Sequence, residues 1–294
     1  MNTKKINSLS PDVLCKMRQI EISTKRLLKG IVPGDSRSMQ KGVGLDFDQI
    51  REYQMGDDVR FIDWSGTART GTLLVKQYVQ ERARVILVAV DVSSSSFFSS
   101  GQERKCDIMA QVASVFALVA EYNNDSVGLL LFSDTVELYV PAGKGMEHVR
   151  KLMRILFTYE PKGARTSFDA IFKKLADLQR KDTIVMIISD FIGELETIYC
   201  TIVARLYSLI AVRCLDKNEH VMPGIGFMTL VDVETGEMVA IDTSNNAKKV
   251  DILLAARIDE QNVFFKKKGI DVLDVSVDQL FIGDMVRFFQ RRMR

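Results

Sequence analysis

Three apolar runs that each stop at an aspartate constrain this chain most: VILVAV before Asp91, TIVMIIS before Asp190 and LIAVRCL before Asp216. A short, unbroken apolar run suits a parallel strand covered on both faces, because neither face then needs polar side chains. Helical periods separate the runs. Helices are expected over about 104–122, 146–157 and 168–179, and a strand at Ser126–Phe132 should turn at Ser133-Asp134-Thr135 into another at Val136–Val140. Strands alternating with helices predict an α/β domain with a mostly parallel, doubly wound sheet. Ligands of such sheets gather at the carboxyl ends of the strands, where all three aspartates fall.

The change of character at Arg84 divides the chain into residues 1–83 and 84–294. The first part opens with a helix, N-capped by Ser10 with Pro11 at its first position, an apolar stripe of Val13, Met17, Ile20 and Leu27, and Gly30 as its stop. Turn residues mixed with aromatics and charges then predict an irregular arm that ends in a strand. Within the second part, residues 224–242 read as a small β-hairpin insertion turning at Glu234-Thr235-Gly236. A helix near 246–267, the strand IDVLDVS and a basic amphipathic helix ending FFQRRMR follow.

Composition narrows the function classes. At 294 residues and 47% hydrophobic the chain can bury one large core and a small second module. Its 40 Lys and Arg against 38 Asp and Glu, a formal charge of +2, supply no field for a nucleic acid, so none is expected. Cys15, Cys106, Cys200 and Cys214 form no CxxC pair and read as reduced core residues. The start lacks the apolar stretch of a signal peptide, and the most apolar region, Thr197 to Leu215, is interrupted by Arg205 and Arg213. The expected location is cytoplasmic, with no membrane span. Gly42 and Gly44 precede no phosphate-loop lysine, and His148 and His220 lack a nucleophile elbow or a metal-spaced partner.

The segment Asp91-x-Ser93-x-Ser95 carries the most chemistry. In a loop after a buried strand it converges one carboxylate and two hydroxyls, and oxygen-only donors suit a hard cation such as Mg²⁺ or Mn²⁺. Taken alone, it could equally be a serine-rich turn capping the next helix. With Thr166 in GARTSFDAI and Asp190 closing TIVMIISD, the three pieces resemble the metal-ion-dependent adhesion site of von Willebrand factor A domains and occur in the same order. The resemblance implies a von Willebrand factor A-like, Rossmann-like sheet. It further implies that Ser93, Ser95 and Thr166 hold the cation directly or through water, that Asp91 and Asp190 mostly hold metal-bound waters, and that a partner's acidic side chain fills an open position. Phe97 and Phe98 depart from the small residues or methionine usual after that motif.

Upstream stand Gly42-x-Gly44, Asp46-Phe47, Arg51-x-Tyr53, Gly56-Asp57-Asp58-x-Arg60-x-Ile62-Asp63-Trp64 and Ala68-Arg69. Together with LVKQYVQER at 74–82 and the C-terminal pattern, this closely resembles the prokaryotic family called domain of unknown function 58, over most of the chain. Arg51, Arg60 and Arg69 among Asp57, Asp58 and Asp63, with Tyr53 and Trp64, predict an ion-pair lattice with aromatic packing that either docks the arm or recognises a partner. A nuclease-like carboxylate cluster is the third and weakest reading. The family resemblance implies action beside a MoxR-type AAA+ ATPase in chaperone-like maturation of other complexes. The expected function is a cation-dependent protein-interaction module without enzymatic activity. The alternative is a hydrolase using the same cation, with Asp134 or Asp216 as its base.

Overall fold

The computed structural model describes residues 11–31, 46–79, 84–97, 104–180, 182–216, 226–231, 238–276, 281, 285 and 288. They form two compact units, one of residues 1–31 with 84–294 and one of residues 32–83. The first helix therefore groups with the large unit, whereas the sequence joined it to the arm.

In the large unit, helix α1 (Pro11–Ile31) runs straight through Gly30, which does not act as a stop. The proposed cap Ser10 lies outside the described residues. In the small unit, strand β2 (Leu74–Val79) is the strand expected at the end of the arm, while strand β1 (Asp46–Glu52) and helix α2 (Trp64–Thr70) stand where mixed periodicity suggested irregular chain. β1 and β2 pair antiparallel from Phe47 opposite Tyr78 to Glu52 opposite Leu74, and Gln49 bonds across to Gln77. Polar residues stand on this ribbon because it is only two strands wide, so its pattern never settles into apolar alternation. α2 ends at Gly71, whose φ of 75° closes the helix in the left-handed region.

The large unit continues with β3 (Val85–Asp91), α3 (Lys105–Tyr122), β4 (Ser126–Phe132), β5 (Val136–Gly143), α4 (Met146–Thr158), α5 (Phe168–Leu178), β6 (Thr183–Ser189), α6 (Ile198–Leu206) and β7 (Ser208–Leu215). After it come the antiparallel pair β8 (Phe227–Val231) and β9 (Met238–Asp242), then α7 (Thr243–Lys268) and β10 (Asp271–Ser276). The six-stranded sheet has the order β10-β7-β6-β3-β4-β5, and only β5 runs antiparallel. This is the mostly parallel α/β sheet that the apolar runs predicted. The turn of the β8–β9 hairpin and most of the expected final helix lie outside the described residues.

Alternation along β3 shows how both faces are filled. Ile86, Val88 and Val90 point into a core shared with α3 and α4 and with Met17 of α1, while Leu87 and Ala89 point into one shared with Phe168 and Phe172 of α5, Cys200 and Val203 of α6 and Phe265 of α7. Twelve of the eighteen residues of α3 are buried, which explains why its apolar stripe is unusually broad. Arg213, which broke the apolar run in the sequence, is 1% exposed. Its guanidinium grips Asp274 of β10 at 2.7 and 3.1 Å and donates to Gln261 and Asn262 of α7, so a charged residue ties the edge strand and its helix to the sheet. All four cysteines are free, but Cys15 is exposed, which corrects its assignment to the core. His148 bonds to the Val127 carbonyl at 2.8 Å as a packing residue, and His220 lies outside the described residues. Among the described residues, no helix is long and apolar enough to cross a membrane.

Candidate functional site at the carboxyl end of the sheet

The chain leaves β3 for β4 on one side, while β6 lies on the other, so the tips of β3 and β6 border a topological switch point. Val90 pairs with Ile188, which sets Asp91 beside Ser189. The Asp91 side chain is 1% exposed and saturated with donors. One carboxylate oxygen accepts the Ser93 amide at 2.9 Å; the other accepts the Ser189 hydroxyl at 2.7 Å and the Thr166 hydroxyl at 3.3 Å. The Ser93 and Ser95 hydroxyls lie 3.0 Å apart, and the Ser96 hydroxyl donates to the Asp91 carbonyl. Four of the five expected residues are thus linked by hydrogen bonds or share a two-residue spacing in one turn. Asp190, 5% exposed, follows Ser189 at the neighbouring tip. Burial, and then the negative charge of Asp190, push the Asp91 carboxyl up to about 6, against the opposing bonds from Ser189 and Ser93.

Thr166 arrives on a loop that is fastened at several points. Glu137 of β5 accepts from the Ser133 hydroxyl, the Tyr159 hydroxyl at 2.9 Å, the Lys162 amide at 2.9 Å and the Gly163 amide at 3.1 Å. Burial raises the Glu137 carboxyl, but these donors outweigh it and hold the group below its usual range. The Tyr159 phenol is pushed up to about 12 by burial and by that same bond. Gly163 is needed for close approach, since a Cβ there would stand 2.2 Å from both Asp134 Oδ1 and Ser133 Oγ. Beyond it the Ser94 amide donates to the Ala164 carbonyl at 3.0 Å and the Ser167 amide to the Ser133 carbonyl at 2.8 Å, which joins the Thr166 loop to the serine turn.

Asp190 has a partner that the motif did not announce. Lys105, the first residue of α3, is 0% exposed, and its ammonium donates to Asp190 Oδ2 at 3.0 Å. The other carboxylate oxygen accepts the Ile192 amide at 3.1 Å. Between these residues Phe191 adopts φ 56°, costly for a bulky side chain. It is held there by stacking on Phe168 at 5.5 Å, by an edge contact with Phe265 at 5.2 Å and by the Gln261 amide on its carbonyl. The Cys214 thiol, fully buried in β7, is pushed up to about 12 by burial and then by Asp190, with Lys105 and Asp91 acting on it as well. These charges therefore surround one region. Ser189, Glu137, Lys105 and Phe191 were all missed from sequence. The available signals were a hydroxyl just before Asp190 and a lysine heading a helix that is otherwise apolar.

Chemically, the site offers hard oxygen donors and few carboxylates. Among the described residues no group of three or more His, Cys, Asp or Glu converges as a metal cluster, so any cation here would rely on hydroxyls. Adjacent oxygens of an octahedral Mg²⁺ shell, about 2.1 Å from its centre, lie about 3 Å apart. The 3.0 Å between Ser93 Oγ and Ser95 Oγ fits that edge. Of the proposed bases, Asp134 is exposed, with its Oδ1 3.0 Å from a Ser133 hydroxyl that it shares with the nearer Glu137, while Asp216 is wholly buried.

In the small unit the structure separates what the sequence grouped. Arg51 forms a bidentate pair with Asp57, both contacts at 2.7 Å, and Arg60 clasps Asp58, holding its carboxyl down to about 2. Asp63 instead accepts the Ser65 hydroxyl and faces Lys76 at 3.7 Å, and Arg69 donates to the Ser65 carbonyl. Tyr53 is half-buried, but Trp64 is 67% exposed. The expected lattice with aromatic packing is thus a set of local pairs beside an exposed indole.

Two outcomes follow from this geometry. Glu137→Ala should cost about 2–3 kcal/mol, because it strands several buried or half-buried donors, and should speed amide exchange at Lys162 and Gly163; unchanged exchange at both amides would contradict the role given to Glu137. The raised Asp91 carboxyl means that the folded state binds its proton more tightly than the unfolded state, whose value is 3.8, so stability falls as pH rises from about 4 to about 6. In chelator, Asp91→Asn should remove a loss of about 3 kcal/mol across that window, measured by denaturation at each pH.

Comparison with known proteins places the chain among uncharacterised relatives. It is 28% identical over 289 residues to the Uncharacterized protein Rv1480 of Mycobacterium tuberculosis, covering 97% of this chain and 91% of that protein. The fold is similar to a solved structure titled conserved hypothetical protein BatB from Bacteroides thetaiotaomicron, with TM-score 0.45, 10% identity, and coverage of 72% of this chain and 99% of that one. A second, titled an aerotolerance-related membrane protein from Bacteroides fragilis, gives TM-score 0.45 and 14% identity over 72% of this chain and 100% of that one. The model of the family described as Protein of unknown function DUF58 matches residues 49–262, and the chain belongs to that family.

Proposed function

We propose that this chain is a divalent-cation-dependent protein-interaction module with a von Willebrand factor A-like site at the tips of β3 and β6. The observation that carries the reading is the buried Asp91 carboxylate accepting the Ser93 amide and the Thr166 hydroxyl, with Ser93 Oγ and Ser95 Oγ 3.0 Å apart in the same turn. Ser93, Ser95 and Thr166 would hold Mg²⁺ or Mn²⁺, and Asp91 and Asp190 would orient its waters. The bound cation supplies a Lewis-acidic position for a partner's carboxylate. Ser189 and Glu137 act one step back: Ser189 fixes the Asp91 rotamer, and Glu137 fixes the loop that presents Thr166.

The partner chemistry that suits this site is an acidic side chain at a protein surface. A MoxR-type AAA+ ATPase is the partner class proposed, on the strength of the family resemblance. In the small unit, the exposed Trp64 has the character of an interface anchor of its own. The hydrolase alternative is weaker for Asp216, which is closed off from solvent.

Calorimetric titration of Mg²⁺ and Mn²⁺ tests this reading. Saturable one-site binding is expected in the wild type, with a loss of at least tenfold in Ser93→Ala and of all measurable heat in Asp91→Ala. Capture of the ATPase should then require the cation and fail with Asp91→Ala. Equal binding by wild type and Asp91→Ala would place the cation elsewhere.

A further inference from the structure

Lysine is almost never fully buried unless a charge partner holds it. Lys105 is 0% exposed, and its ammonium lies 3.0 Å from Asp190 Oδ2, a carboxylate that is itself 3% exposed. Asp190 is also one of the five residues assigned to the cation. The chain thus places an ammonium of its own on a group that a divalent ion would need. Lys105 stands at the first turn of α3, where a helix N-terminus already carries positive partial charge and disfavours a cation, and the Asp190 carboxylate helps to offset that cost.

We propose that Lys105 is a tethered competitor for the cation, an internal ammonium that neutralises Asp190 in the cation-free protein and keeps the site's affinity for divalent ions low. This rests on the cation-binding reading above and adds how that binding is regulated. Two consequences follow from charge alone. Two acidic groups can stay buried at adjacent strand tips without a metal, so the empty site is stable. A divalent ion must overcome the ammonium's repulsion and its hold on Asp190, so firm retention needs the extra carboxylate of a partner. Cation and partner then each tighten the other's binding, which makes a firm contact depend on both.

Replacing Lys105 with a neutral residue makes the region more negative by one charge, and in a desolvated setting that difference exceeds a tenfold change in affinity for a divalent ion. Calorimetry with MnCl₂ at pH 8 on the full chain should therefore show Lys105→Met and Lys105→Gln binding Mn²⁺ at least tenfold more tightly than wild type, with Lys105→Arg close to wild type. Melting temperature measured in parallel should show the neutral variants less stable than wild type in chelator and gaining more from saturating Mn²⁺, a pattern that a purely structural lysine does not produce. A neutral variant that folds only when Mn²⁺ is present, or that binds when wild type does not, supports the proposal equally. If wild type binds Mn²⁺ and the neutral variants bind it no more tightly, the competitor role is overturned while the cation site stands. If neither wild type nor any neutral variant binds, both fall together.

Discussion

The burial of Asp91 is the constraint on which the rest of the site depends. A carboxylate at the tip of a central strand, 1% exposed, carries a desolvation cost that only donors in place before any ligand can offset. The fold supplies them from three separate segments: the Ser93 amide from its own turn, the Ser189 hydroxyl from the next strand and the Thr166 hydroxyl from a loop seventy-five residues on. Each source is positioned by something else. Parallel register sets Ser189 beside Asp91, Glu137 and Gly163 set the loop, and the stacked Phe168 and Phe191 rings set the turn that follows Asp190. The carboxyl nonetheless remains shifted to about 6, so the donors offset the burial only in part. That residual cost is consistent with a group kept for function rather than for stability.

Much of the large unit was legible because two-sided burial leaves its mark on every residue of a strand. VILVAV, SVGLLLF and TIVMIIS became β3, β4 and β6 within a residue of their expected ends. The motif residues were legible for a related reason, since they lie where those runs stop. What escaped notice depends on contacts between distant segments. Lys105 and Glu137 are residue types that usually face water, and nothing in their neighbours reveals that one is sealed against Asp190, eighty-five positions away, or that the other gathers amides from 162 and 163. Ser189 looked like the polar end of a strand. The small unit was misread because a two-stranded ribbon buries little on either face, so β1 and β2 never show the alternation that marks a half-buried strand. Gly30 failed as a stop because glycine merely weakens a helix, and α1 continues for one more residue.

The two units differ in how their charges are used. In the large unit Arg213, Lys105, Asp91 and Asp190 are buried, and each is matched to named partners. In the small unit Arg51, Asp57, Asp58 and Arg60 pair over short sequence separations at or near the surface, where such pairs add little stability. Met55, Val59 and Trp64 of the same unit are exposed as well. The uncharacterised relative Rv1480 aligns over nearly the full length of both units.

If the proposed function holds, the hydroxyls of Ser93, Ser95 and Thr166 surround a cation. Anomalous diffraction from crystals grown in MnCl₂ measures this directly. One manganese peak is expected at the carboxyl end of β3, in contact with the hydroxyls of Ser93 and Ser95 and close to Thr166. A well-ordered β3 turn with no peak there, or with the only peak bound elsewhere on the chain, would contradict it.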